Sequence, residues 1–375
     1  MQYTDFKDLK ISRLGFGAMR LPMDAEGKIE PDHVQKMVDY ALAHGINYFD
    51  TAYKYHAGES ENYLGRALAK HPRESFFLAD KMPSWLCAEE SDVKKIFEEQ
   101  LGKCGVEYFD FYLMHNVDEE GWDDIVKLHI FEHLKEEKEA GRIRHLGASF
   151  HCSAEFLDKV LSTYGDYIEF VQLQINYFDW ESSSVQSRLC LEVANRHGVP
   201  VIVMEPVKGG GLADPIPEVK ALLQQAGPGS PASWAIRFAA SQPGVFMVLS
   251  GMSNPEQLRD NMRYMADFVP LTEAEQDLLL RCAGMIRATG AVQCTACQYC
   301  VEDCPKQINI PALFAVWNTA GSLAANNFPT MHYGRAVADR GRAGDCIACR
   351  ACERHCPQHL PISDLMKQIS AKFDK

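Results

Sequence analysis

Eight short runs rich in apolar, β-branched and aromatic residues recur along the first 268 positions, each followed by a stretch with helical spacing. They are RLGFGAM (13–19), INYFDTA (46–52), FFLADK (76–81), YFDFYLMH (108–115), IRHLGAS (143–149), FVQLQINY (170–177), PVIVMEP (200–206) and VFMVLSGM (245–252). Of the stretches between them, PDHVQKMVDYALAH (31–44) opens on proline and is followed by Gly45, the punctuation expected of a helix. Residues 121–140 form another. Near-continuous apolar strands suit a parallel sheet covered on both faces. Eight strands alternating with helices predict an α/β fold, a (β/α)8 TIM barrel over residues 1–270 rather than an open sheet.

Such a barrel carries its chemistry at the C-terminal ends of its strands. The polar residues there are Asp50 with Tyr55 just beyond, Lys81, His115, Ser149, Gln172 with Gln174 and Asn176, and Glu205. A phenol titrates near ~10 in water, too high to release its proton readily at neutral pH. A nearby ammonium lowers that value, and a carboxylate holds the ammonium in place. A neutral imidazole orients or polarises a carbonyl. Asp50, Tyr55, Lys81 and His115 together form an acid suited to protonating a carbonyl oxygen as the carbon receives hydride. The hydride itself must come from a cofactor.

FDTAYKY resembles the D-T-A-x-x-Y motif of the aldo-keto reductase family, LADK its lysine strand and YLMH its histidine strand, over roughly residues 8–268. The resemblance implies that Tyr55 is the proton donor, that Lys81 and Asp50 tune it, and that His115 positions the substrate carbonyl. It extends to the nicotinamide cofactor. GASF resembles the family's strand-five motif and implies Ser149 as a carboxamide partner, with Phe150 where the family usually has Asn; Gln172 fits the second contact. MEPVKGGGLA falls where the family cradles the pyrophosphate, which implicates Pro206, Val207, Gly209 and Gly210, while Met204 takes the place of an aromatic that stacks on nicotinamide. LSGMSNPEQLRDN resembles the adenosine-binding segment, implicating Gly251, Ser253, Gln257 and Asn261. Neither Gly251 nor Gln257 supplies a cation for a 2′-phosphate, so NADH and NADPH both remain open.

The tail has a different character. The chain holds 13 cysteines, no run of 18 apolar residues, and an opening stretch, MQYTDFKDLK, without an apolar signal core; a cytoplasmic location is expected. There, cysteines are metal ligands or small buried hydrophobes more often than disulfides. Cys87, Cys104, Cys152, Cys190 and Cys282 are scattered and read as core residues. The other eight form two copies of C-x2-C-x2-C-x3-C-P. Zinc is an alternative, but zinc sites usually show two C-x2-C pairs or cysteine with histidine. The repeated run resembles the bacterial ferredoxin pattern, in which the fourth cysteine reaches across to the other cluster. That implies two 4Fe–4S clusters, one on Cys294, Cys297, Cys300 and Cys356, the other on Cys346, Cys349, Cys352 and Cys304. The segment between the copies includes IPALFAVWNTAGSL, which has helical character. Residues 271–287 are expected as a connecting helix. Residues 288–375 are expected as a small, mainly helical ferredoxin-like domain with little apolar core of its own, appended to the barrel as in a known subfamily arrangement.

The formal charge of −13 argues against a nucleic-acid partner, because a phosphate backbone needs a basic face. No membrane partner is expected. The reading that results is an NAD(P)H-dependent oxidoreductase reducing a small aldehyde or ketone to an alcohol. Arg20, Tyr53, Trp85 and Asn116 follow strand ends and are candidates to line its pocket. The alternative is an electron-transfer protein coupled to a ferredoxin-like electron partner, in which the clusters feed electrons to substrate or partner and the barrel mainly binds nucleotide. Nicotinamides move two electrons as hydride, whereas clusters move one, and no flavin site is evident to convert between them.

Overall fold

Eight parallel strands close into a barrel in the computed structural model, which describes residues 1–24, 26–183, 185–322 and 328–374. A short antiparallel hairpin, β1 (Tyr3–Phe6) and β2 (Leu9–Ser12), precedes them. The barrel strands are β3 (Leu14–Gly17), β4 (Tyr48–Asp50), β5 (Phe77–Met82), β6 (Phe109–Val117), β7 (Ile143–Phe150), β8 (Val171–Gln174), β9 (Val201–Met204) and β10 (Val245–Gly251), and β10 pairs with β3 to close the ring. Each falls within or on one of the eight apolar runs. The first helix spans Pro31–Ala43 as its punctuation predicts. The stretch 121–140 divides into Trp122–Lys127 and Ile130–Glu139, because His129 between them is left-handed (φ 48°).

The hairpin was not expected, and it decides which end of the barrel is open. Phe6, 3% exposed, packs its ring 4.9 Å from that of Phe246, 5.5 Å from Phe111 and 6.0 Å from Phe170. These residues lie at the N-terminal ends of β10, β6 and β8, so the hairpin seals that mouth and leaves the strand C-termini for chemistry. Above this floor the lumen is filled by Tyr48, Leu113, Ile202, Met247 and Leu249. Gly147 is required there: a Cβ on it would lie 2.6 Å from the Phe170 ring.

By packing, the chain forms two units, residues 1–207 with 226–279, and residues 208–225 with 280–375. The helix Glu273–Ala288 runs across the second of these divisions. In the second unit, the helix that begins IPALF spans Ile310–Ser322; the last residue of the predicted segment, Leu323, lies outside the described residues. The helix Ile362–Phe373 meets it. Together they bury Ile310, Leu313, Phe314, Ile362, Met366 and Ile369, so the tail has a larger apolar core than its sequence suggests. Those residues are spread over sixty positions and only folding gathers them. Tyr333 pins the end of the second helix: its hydroxyl donates to Asp374 Oδ1 (2.6 Å) and its ring stacks on Phe373. No helix among the described residues is long and apolar enough to cross a membrane.

Candidate active site and cysteine sites

Asp50 is the last residue of β4, Lys81 lies near the end of β5, and His115 near the end of β6. Neighbouring parallel strands in register bring these side chains together inside the barrel mouth. Lys81, fully buried, places its ammonium 2.6 Å from Asp50 Oδ1, 2.7 Å from the Thr51 carbonyl oxygen and 3.5 Å from the Tyr55 hydroxyl. The Tyr55 and His115 rings meet edge to face at 6.1 Å, and Trp85 lies 5.1 Å from His115 on another side. His115 is buried, and its Nδ1 makes no hydrogen bond among the described residues. A buried nitrogen without a partner beside a phenol is a place for a polar atom of a ligand.

The electrostatics differ from expectation at one point. Tyr55 titrates well above the ordinary phenol value rather than below it: burial dominates, Asp50, Glu205 and Asp80 add to it, and Arg20 is the cation that opposes them. Lys81 sits against Asp50, whose negative charge cancels much of its field at the phenol. Tyr55 therefore carries its proton throughout the neutral range. Burial also raises Asp50, against the pull of Lys81 and Gln172. His115 is pushed well below the usual imidazole range by burial, by Lys81 and by His151, which keeps the ring neutral.

Behind Lys81 lies a buried polar network that the sequence analysis missed. Asp80 Oδ1 accepts from the Lys81 backbone N–H (2.8 Å), and Gln100 Nε2 donates to both the Lys81 carbonyl (3.0 Å) and Glu61 Oε1 (2.9 Å). Tyr112 completes the set by donating to Gln100. Burial and the neighbouring Glu61 carboxylate push Asp80 well above the usual carboxylate range. These contacts fix the backbone on both sides of Lys81. The available signal was a glutamate and a glutamine on otherwise apolar helix faces, in Ser60–Leu68 and Glu90–Cys104.

The residues nominated for nicotinamide fall into three places. Ser149 and Gln172 are register partners on β7 and β8 and are both buried; Ser149 Oγ accepts from the Asn116 N–H (2.9 Å), and Gln172 donates to Asp50 Oδ2 (3.3 Å). Met204 ends β9, Pro206 and Val207 follow it, and Gly209 and Gly210 fall in the second unit. Gly251 ends β10, while Ser253, Gln257 and Asn261 surround the start of the helix Pro255–Ala266. There Gln257 Oε1 accepts from the Ser253 N–H (2.7 Å) and Asn261 donates to Ser250 (2.9 Å). The sequence offered no cation at Gly251, yet a Cβ on that glycine would touch Arg20 Cγ at 2.7 Å. The pairing of β10 with β3 brings Arg20, which follows β3, to this spot. Left-handed non-glycine residues cluster at the same strand ends: His56, Ala57, Asn116 and Glu205 have φ of 53° to 55°. Backbone strain of this kind concentrates at functional sites.

The eight motif cysteines line two cavities. One is lined by Cys294, Cys297, Cys300 and Cys356, and the other by Cys304, Cys346, Cys349 and Cys352. The backbone repeats as closely as the sequence does. Ala296, Gln298 and Gln307 are left-handed (φ 52°, 74° and 51°), and so are their counterparts Ala348, Arg350 and His359 (55°, 60° and 50°). Alternating hands along a chain turn successive N–H groups into a concavity for an anion, as at many iron–sulfur sites. The Ala296 N–H, 3.4 Å from Cys294 Sγ, is one such donor. Four thiols facing each cavity, backed by amide donors, fit a 4Fe–4S cluster with crossed ligation. Of the scattered cysteines, Cys104, Cys152, Cys190 and Cys282 are buried and Cys87 is partly so.

Comparison with known proteins follows this division. The sequence profile of the Aldo/keto reductase family matches residues 13–282, and that of a 4Fe-4S dicluster domain matches residues 293–360. An uncharacterized oxidoreductase of Bacillus subtilis (strain 168) is 27% identical over 303 residues, covering 72% of this chain and 91% of the relative. The NADH-specific methylglyoxal reductase of Escherichia coli (strain K12) is 25% identical over 324 residues, covering 72% and 94%. Among solved structures, the holo form of an aldo-keto reductase from Bacillus halodurans superposes with a TM-score of 0.61 at 25% identity, over 75% of this chain and 96% of that one. An aldo-keto reductase from Klebsiella pneumoniae in complex with NADPH shares the fold at 19% identity (TM-score 0.60; 73% and 92% covered). The dicluster profile assigns two 4Fe–4S clusters, rather than zinc, to the tail. An oxidoreductase barrel joined to a dicluster tail, the chain belongs to the aldo/keto reductase family.

Proposed function

We propose that this protein is an NAD(P)H-dependent reductase that converts an aldehyde or ketone to the alcohol, with Tyr55 as general acid. The observation that carries the reading is the buried Lys81 ammonium, 2.6 Å from Asp50 and 3.5 Å from the Tyr55 hydroxyl, with neutral His115 alongside. Bound nicotinamide supplies the hydride. Tyr55 donates a hydrogen bond to the substrate oxygen and passes its proton as negative charge develops there. Lys81 and Arg20 then stabilise the phenolate left behind, which is where their charges matter most. Asp50 keeps Lys81 in place. His115 steers the carbonyl, and Trp85 walls the pocket.

Ser149 and Gln172 are the proposed carboxamide partners. Met204, Pro206 and Val207 face the nicotinamide end, Gly209 and Gly210 serve the pyrophosphate, and Gly251, Ser253, Gln257 and Asn261 serve the adenosine. An NADH-specific relative and an NADPH-bound fold neighbour leave both cofactors as candidates. The test is an anaerobic screen of aldehydes, ketones and quinones, methylglyoxal included, with NADH and NADPH in turn. Carbonyl-dependent nicotinamide oxidation is expected, lost in Tyr55→Phe. Oxidation that is equally fast in Tyr55→Phe, on a substrate whose chemistry limits the rate, would remove Tyr55 from this role.

A further inference from the structure

The two cysteine motifs repeat so closely that their differences carry information. Cys304-Pro305-Lys306-Gln307 corresponds position by position to Cys356-Pro357-Gln358-His359. Lys306 lines the cavity of Cys304, Cys346, Cys349 and Cys352, whereas Gln358 lines that of Cys294, Cys297, Cys300 and Cys356. One site therefore has a lysine where the other has a neutral amide. The second site obtains a cation from a distant part of the sequence. Lys208 Nζ donates to Gln358 Oε1 at 2.5 Å, across 150 positions, and Lys208 is only 6% exposed.

The loop that carries Lys208 is fitted to this position. Residues 208–225 pack with the tail as part of the second unit. Lys208 is itself left-handed (φ 48°), and Gly209 after it has φ 60°. A Cβ on Gly209 would lie 2.6 Å from the carbonyl oxygen of Thr295, the residue after Cys294, so only glycine lets the loop approach this closely. Lys208 and Gly209 thus meet both ends of the first cysteine set.

We propose that Lys208 is the electrostatic partner of the 4Fe–4S cluster on Cys294, Cys297, Cys300 and Cys356, and holds that cluster's reduction potential above that of its twin. A cluster with four thiolate ligands is an anion, and reduction by one electron adds a further negative charge. Net charge, hydrogen bonding and exposure set such potentials. A buried ammonium acts in a low dielectric and favours the reduced state strongly. Lys306, at the twin site, is exposed, and water and salt screen it. An added electron therefore rests on the cluster beside Lys208. This inference rests on the two-cluster assignment and is independent of the nicotinamide chemistry.

The experiment uses full-length protein prepared anaerobically, with iron and sulfide analysis first and then a dithionite titration at controlled potential followed by electron paramagnetic resonance. Each cluster takes one electron from dithionite. Wild type without iron would remove the cluster assignment itself, separately from the role of Lys208. With both clusters present, Lys208→Met should lower the reduced-to-oxidised ratio of one cluster at least about tenfold at fixed potential, a shift of about 59 mV for a one-electron couple. The other cluster should not move, and Lys306→Met should have a smaller effect on it. Gln358→Glu neutralises the lysine without removing it and should shift the same cluster in the same direction. Unchanged potentials in loaded Lys208→Met or Gln358→Glu would overturn the proposal. Should both variants lose that cluster, retention of it in Lys208→Arg would support a charge role, and loss in all three would show that Lys208 serves packing alone.

Discussion

Lys81 reaches its partners from the middle of a closed sheet, with its backbone gripped by Gln100 and Asp80 and its ammonium by Asp50 and Thr51. The cluster cysteines lie instead in loops and in the single helical turns Tyr299–Glu302 and Ala351–Arg354, segments bordered by six left-handed non-glycine residues, Ala296, Gln298, Gln307, Ala348, Arg350 and His359. Each such residue costs about 1–2 kcal/mol. Six together approach the whole stability of a small domain, about 5–15 kcal/mol. The core gathered around Leu313, Phe314 and Met366 opposes that cost, and cluster binding is a further source of free energy against it. The comparison predicts a barrel site organised by its own fold and cysteine sites that depend on what they bind.

The sharpest way to break this contrast is to remove one ligand. Cys294→Ala should lose one cluster, taking iron from about eight to about four per chain, and should expose the tail to protease and hydrogen exchange. The barrel's unfolding transition should stay where it was. A barrel that melts together with the tail would show the two sites to be equally dependent on the clusters.

A second variant tests the barrel half. Phe6→Ala opens the floor of the lumen and should destabilise the barrel by about 3–5 kcal/mol, the usual range for a buried phenylalanine, with iron content unchanged. Third, Tyr55→Phe should lower turnover roughly 10²-fold, or about 2.7 kcal/mol of barrier, and leave both folding and nicotinamide affinity intact. A variant that also lost nicotinamide affinity would mean that the hydroxyl organises the pocket rather than donating a proton.

The smallest effect expected is a pH dependence of barrel stability. His115 has a depressed value in the fold, so it stays neutral there while its unfolded counterpart takes up a proton near 6.5. Its contribution is fully present above that pH and is lost as the pH falls below it, by up to about 1.4 kcal/mol per pH unit. Raised carboxyls such as Asp50 and Asp80 act with the opposite sign. Comparing denaturation of wild type and His115→Gln between pH 7 and pH 5 therefore isolates the histidine: as the pH falls, wild type should lose stability relative to the variant, and a constant difference between them would contradict a buried neutral ring.

The two regions also differed in how much their sequences revealed. All eight barrel strands were legible because parallel strands covered on both faces are almost continuously apolar. The hairpin β1–β2 was not, since of β1 only Phe6 is buried, Thr4 is half-buried and Tyr3 and Asp5 are exposed. The cysteine spacing announced iron–sulfur ligation, but nothing in ordinary residues such as Ala296 or Arg350 signals a left-handed backbone. Local propensity argues against it. Lys208 was equally hidden: its partner Gln358 is 150 positions away, and the glycines beside it read as a phosphate loop whether or not they press on Thr295. The Asp80–Glu61 pair stayed hidden because residues on outward strand and helix faces meet only after the helices dock.

The central claim, that the barrel carries out hydride chemistry while the clusters form a separate one-electron device, has one direct measurement. Enzyme with both clusters is given NAD(P)H deuterated at C4 of its dihydronicotinamide together with an active carbonyl compound, and in parallel the same compound with dithionite-reduced enzyme and no nicotinamide. The account predicts deuterium on the carbinol carbon in the first reaction and no sustained product in the second. Product formed without nicotinamide, carrying solvent hydrogen at that carbon and abolished by Cys294→Ala, would contradict it.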